Sequence, residues 1–265
     1  MSPRRRVVLL VAVGAAATAG TAVGVTLATR THIAKSEQAG PRFFADPTAS
    51  AKVSSDVREA LKAWPSGTVR RLRIVGEQQP QSALVRFELG LALAFGGQGD
   101  AARRAWRDAE RVEPDSPSAV RAEDALHPEA PPGKPPFVPT FTRPRGATEE
   151  LLARGIAFQA ALRPVSAERS FAAAAERDPT NAEAQVAAAV GRYDKDHPER
   201  AFSQLGPLVR RFPYAQTVRF HLGLLLIYLR QFPQARAELR LAIVEGARTR
   251  LAAEARVLLN ASRKR

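Results

Sequence analysis

Through the second half of this 265-residue chain, small, bulky and proline positions return at an interval of 34, and that interval limits the fold more than any other feature. Gly155, Ala189 and Gly223 keep the step, as do Ala167, Ala201 and Ala235. Phe171, Leu205 and Leu239 follow it, and Pro179 and Pro213 follow it again, with Ala247 where a third proline is due. Two matching segments tie the first half to the second: Val85-Arg86-Phe87-Glu88-Leu89-Gly90-Leu91 and Val218-Arg219-Phe220-His221-Leu222-Gly223-Leu224. A fixed period of this length marks a stacked-repeat architecture, in which each unit is too small to bury its apolar face alone and covers it against its neighbours.

Within each period the apolar spacing predicts two helices. In the last unit Phe220, Leu224 and Ile227 share one helical face, Gln231-Phe232-Pro233 makes a turn, and Ala235, Leu239 and Ala242 form the stripe of a second helix. Pro233 falls where a first helical turn tolerates it. The small residues at 155, 189 and 223, with the alanines at 167, 201 and 235, let the two helices approach closely. Larger side chains there overpack the pair, at a cost of about 1–3 kcal/mol.

These positions resemble the tetratricopeptide repeat (TPR) family, specifically a bacterial membrane-anchored member. The fullest match is 83–116, with Leu89, Gly90, Leu93, Ala102, Trp106, Ala109 and Pro114 in order. It is followed by 148–181 (Gly155, Phe158, Ala167, Phe171, Ala174, Pro179), 182–215 (Ala189, Ala201, Leu205, Leu208, Pro213) and 216–249 (Gly223, Leu226, Ala235, Leu239, Ala242). A degenerate unit at 49–82 keeps Leu72, Val75 and Pro80 but carries Asp56 and Thr68 where small residues belong. Leu251 to Ser262 reads as a capping helix. The fold class implied is all-α: a helix-turn-helix solenoid of four clear repeats plus one degenerate.

The remaining chain divides by composition. Arg4-Arg5-Arg6 precedes Val7–Thr29, which holds no charged residue and as a helix is about 34 Å long, enough to cross a bilayer core. Residues 7–29 are therefore expected to be a transmembrane anchor, with Ala17-Thr18-Ala19 leaving a cleaved signal peptide as the rival. The arginines place 1–6 in the cytoplasm and the repeats outside the cell membrane, as a single-pass protein, or as a secreted one if the segment is cleaved. Residues 30–47 read as a polar tether, 48–126 as an N-terminal repeat block, 127–146 as a proline-rich linker and 147–265 as a C-terminal block with its cap. The linker holds prolines at 128, 131, 132, 135, 136, 139 and 144 and is expected to be extended. Its PxxP stretches, Pro132–Pro135 and Pro136–Pro139, also suit a ligand for another domain, while Phe137 and Phe141 are able to pin it to a repeat surface.

No catalytic constellation emerges. With no cysteine and four scattered histidines, thiolate chemistry and metal sites lack their ligands, and no cofactor is expected. Glycines 96, 97 and 99 suit a turn between helices, since no lysine-serine or lysine-threonine pair follows. Asp196, His197, Pro198 and Glu199 read as a helix start with Asp196 as its cap. Glu149-Glu150 and Glu123-Asp124 are adjacent and diverge on a helix. The net charge of +14 comes from arginines interspersed with acids, without the aromatic-laced basic stripe that nucleic acid requires. The chain is thus expected to be no enzyme and to bind no nucleic acid.

The family resemblance implies a concave groove lined by the first helices, and register carries Phe87, Leu91, Leu152, Ile156, Val186, Val190, Tyr193, Phe220, Leu224 and Tyr228 onto it, with Leu84, Phe95, Gln159 and Ile227 beside them. That set is mostly apolar, unlike the lysine and asparagine clamps of family members that hold chaperone tails. The expected function is a membrane-tethered scaffold binding a partner protein or peptide through an apolar groove. Two alternatives are an apoprotein-holding factor resembling the TPR proteins of cytochrome c assembly and a basic structural protein attached to anionic envelope polymer or lipid. Oligomeric state is left open.

Overall fold

Side-chain caps start the first helix of most units, and several fall in the repeat register. Ser82 and Ser116, 34 apart, accept from the Val85 and Ala119 amides, and Asn181 accepts from Ala184. Thr249 accepts from Ala252 and also donates to Gln216, whose amide holds the Ala242 and Gly246 carbonyls. Pro117, Pro164 and Pro233 fall in the first turns of their helices, where no intrahelical amide is lost.

The computed structural model describes residues 40–262. Those residues form twelve helices and no strand: α1 Ala51–Leu61, α2 Thr68–Gln78, α3 Ala83–Phe95, α4 Gly99–Val112, α5 Pro117–Leu126, α6 Ala147–Ala160, α7 Pro164–Arg177, α8 Ala182–Gly191, α9 Glu199–Arg211, α10 Gln216–Tyr228, α11 Phe232–Glu245 and α12 Arg250–Ser262. The expected cytoplasmic end 1–6, the anchor or signal peptide 7–29 and the first part of the tether lie outside the described residues. Among the described residues no helix is long and apolar enough to cross a membrane.

The chain divides into two compact units, with the boundary between Pro128 and Glu129. The N-terminal unit holds the hairpins α1/α2 and α3/α4 and then α5, which begins 34 residues after α3 and is the first helix of a repeat whose second helix never forms. The C-terminal unit holds α6/α7, α8/α9 and α10/α11, capped by α12. Each has its own core: Leu72, Leu84, Phe87, Trp106 and Ala109 in one, Leu152, Phe171, Leu205, Phe220 and Leu239 in the other.

Two local expectations are corrected. The folded part starts before Thr48, because Phe43 and Phe44 lie against the first core and Asp46 is buried, accepting hydrogen bonds from the Ser118 amide and hydroxyl. Ahead of α9 the turn is held by Asp194 rather than Asp196: its Oδ1 accepts from the amides of both Asp196 and His197.

Candidate functional site

Proline has no amide hydrogen, so in Pro135-Pro136-Phe137-Val138-Pro139-Thr140 only Phe137, Val138 and Thr140 can donate from the backbone. Each of those amides is held by a side chain of the C-terminal repeats. Phe137 donates to Gln159 Oε1 at 3.0 Å, Val138 to His221 Nε2 at 2.9 Å and Thr140 to Glu183 Oε1 at 2.5 Å. The Gln159 amide also donates to the Pro135 carbonyl at 3.4 Å, so one side chain grips two backbone groups of the same segment. Further along, the Tyr228 hydroxyl donates to the Lys134 carbonyl, Lys134 Nζ donates to the Tyr193 carbonyl, and Arg230 donates to the Glu129 carbonyl. The proline-rich segment is therefore a strap lying on one face of the array, the face made by the first helices α6, α8 and α10 and the turns that end them.

Side-chain contacts complete the seat. Phe137, Val138 and Pro139 are buried. The Phe137 ring stacks on His221 at 5.0 Å and meets the edge of Phe171 at 5.6 Å, while Tyr193 and Tyr228 meet edge to face at 5.5 Å. His221 is wholly buried, and its bonds fix its form: Nδ1 lies 2.7 Å from the Thr217 carbonyl and donates to it, leaving Nε2 bare to accept from Val138. Burial pushes its pKa down to about 4, so the accepting tautomer persists through neutral pH. Glu183 is pushed upward by burial, against the Thr140 bond.

The N-terminal unit repeats the device with different residues. Phe44 donates its amide to Glu88 Oε1 at 2.6 Å and sets its ring against Phe87 at 5.7 Å, with Arg58 over Phe43 and Arg121 over Phe44. Glu88 and His221 occupy the same position of the two matching segments. Glu88 is fully buried, its Oε2 has no partner, and desolvation raises its pKa to about 7.

Behind these faces the hairpins close at the small residues. A Cβ on Gly155 falls inside the Phe171 ring, and one on Gly90 falls inside the Trp106 indole, whose Nε1 donates to the Phe87 carbonyl. Phe171 thus fills the space that Gly155 leaves, lies near Gly191 of the next first helix and meets Phe137. The same pairing of a small first-helix residue with a bulky second-helix residue returns at Gly223 and Leu239, on the 34-residue step. The chain thus resembles an array of tetratricopeptide repeats in its 34-residue step of helical hairpins. No protein-family model matches it and no curated protein matches it in sequence. Among solved structures it is similar to the crystal structure of YrrB, described as a TPR protein with an unusual peptide-binding site, at 14% identity over 77% of this chain and 87% of that one, with a TM-score of 0.34.

The ten residues expected to line an apolar groove are placed mostly beneath the surface of the repeats. Phe87, Leu152, Val186, Val190, Tyr193, Phe220, Leu224 and Tyr228 are buried, while Leu91 and Ile156 are half-buried. Leu84 and Ile227 are core, and Phe95 is exposed. Tyr193, Tyr228 and Gln159 touch the strap. Glu88, Glu183 and His221 were missed, although Glu88 and His221 fall at one position of the two matching segments. Among the described residues no group of histidine and carboxylate side chains could hold a metal ion.

Proposed function

We propose that this TPR array is a binding scaffold, not an enzyme, whose first-helix faces take extended segments of a partner protein. One observation carries the reading: Gln159, Glu183 and His221 accept the backbone amides of an extended segment while Gln159 and Tyr228 donate to its carbonyls. Gripping the main chain supplies affinity that depends little on ligand sequence, and the Phe137 seat between His221 and Phe171 supplies selectivity for an aromatic residue. The apolar groove expected from register is replaced in this reading by polar clamps set over an apolar core.

The uncharged run 7–29 behind Arg4-Arg5-Arg6 supports tethering to the cell membrane with the repeats on its outer side. A photo-cross-linking residue at Ile156, on the strap face, tests the binding reading in intact cells, with Val244 on α11 as the control because that residue is 80% exposed. A partner cross-linked from position 156 and not from 244 supports it; cross-links from 244 alone, or from neither, overturn it. Fractionation tests the tether: full-length protein stays with alkali-washed membranes, and a chain lacking 1–29 does not.

A further inference from the structure

We propose that the strap is a built-in competitor: residues 134–140 hold the face of the C-terminal repeats closed, and a partner segment of like chemistry binds by replacing them. This rests on the scaffold reading and names its ligand class, an extended segment carrying an aromatic–aliphatic pair with free amides, flanked by prolines.

The strap's amides bond to side chains of the repeats rather than to helix backbone, so an outside segment accepts the same partners without any helix moving. Its downstream end is suited to release, because Thr142 to Gly146 are exposed. Departure of the strap without a replacement is unfavourable, because it strips the donor from Nε2 of a fully buried His221 and bares the Phe137 seat. The face therefore exchanges one occupant for another instead of standing empty. A tethered strap acts at an effective concentration on the order of millimolar, so a free segment with equal contacts binds the wild-type chain weakly, and one with better contacts is selected.

The test uses the full-length chain in detergent and a fluorescent peptide with the sequence of residues 132–142. Val138→Pro in the chain removes the amide that His221 accepts, while leaving Gln159, Glu183 and His221 intact to hold the peptide. Binding of the peptide to this variant is expected to be about tenfold tighter than to wild type, the scale of one lost buried hydrogen bond. The same substitution in the peptide is expected to weaken its binding about tenfold. The chain has no cysteine of its own. The pair Thr140→Cys and Glu183→Cys gives up the Glu183 clamp, so the same double variant is compared before and after joining by a short thiol cross-linker, and its residual peptide binding is expected to vanish on cross-linking.

A helical Val138→Pro chain that binds the peptide no better than wild type overturns the proposal, as does a locked chain that binds it normally. Wild-type dimers held by exchanged straps overturn closure within one chain. Partner cross-linking at position 156 that is equal in locked and unlocked chains leaves the scaffold reading standing and sinks the competitor. Peptide exchange without any partner cross-link in cells does the reverse.

Discussion

At the scale of single residues, the turn between the two helices of a repeat shows what the backbone demands. Gly97, Leu162 and Arg230 share one repeat position, and all three adopt positive φ, at 75°, 54° and 59°. In each the next amide reaches back across the turn: Gln98 to the Leu93 carbonyl, Arg163 to Phe158 and Gln231 to Leu226. That is the Schellman closure of a helix, which favours glycine. Nothing lies within 4 Å of a Cβ built on Gly97, so Gly97→Ala isolates the conformational cost; denaturant melts are expected to show a loss of about 1 kcal/mol. By contrast Gly155→Ala meets the Phe171 ring and is expected to cost about 1–3 kcal/mol and to loosen the Phe137 seat. Sequence alone identified both glycines as special, one as a turn and one as a close approach. It did not mark Leu162 and Arg230, because a side chain tolerated at positive φ carries no compositional sign.

At the scale of elements, the helices were legible and the strap only in part: its extended course and its pinning by Phe137 and Phe141 were expected, and its hydrogen bonds were not. A 3.6-residue apolar rhythm needs only the chain itself to be read, so the hairpins of the repeats and the capping helix were expected where they occur. An extended segment with prolines shows no rhythm, and its order comes wholly from side chains far along the sequence: Val138 is held by His221 and Thr140 by Glu183. The segment 40–47 was read as part of a polar tether for the same reason, its amide partner Glu88 lying in α3. Hydrogen exchange distinguishes a held strap from a loose linker. The amides of Phe137, Val138 and Thr140 are expected to be protected in the intact chain. Gln159→Leu removes the acceptor of Phe137 and the donor to Pro135 together, and is expected to collapse that protection while α6 stays helical. Unprotected amides in the wild type refute the strap as an ordered element.

At the scale of the whole molecule, the two buried clamps give the units opposite responses to pH. Glu88 has a folded pKa of about 7 against an ordinary 4.5, so the folded N-terminal unit binds its proton more tightly than the unfolded chain does. That contribution is fully present below pH 4.5 and is lost as pH rises toward and through 7. His221 runs the other way. Its folded pKa of about 4 lies below the ordinary 6.5, so the C-terminal unit is fully stable above pH 6.5 and loses stability as pH falls through 4. Because the units have separate cores, calorimetry from pH 8 to pH 5 is expected to show one transition rising and the other falling. Variants assign them. Glu88→Gln keeps an acceptor for Phe44 without the charge, and is expected to raise the first transition at pH 8 by on the order of 2–3 kcal/mol and to leave it unchanged near pH 4. His221→Phe keeps a ring against Phe137 but offers nothing to Val138; it is expected to lower the second transition at neutral pH and flatten its acid limb. If both transitions move together with pH, or neither variant moves its own, the buried pair does not govern stability and the strap is held by its aromatic contacts instead.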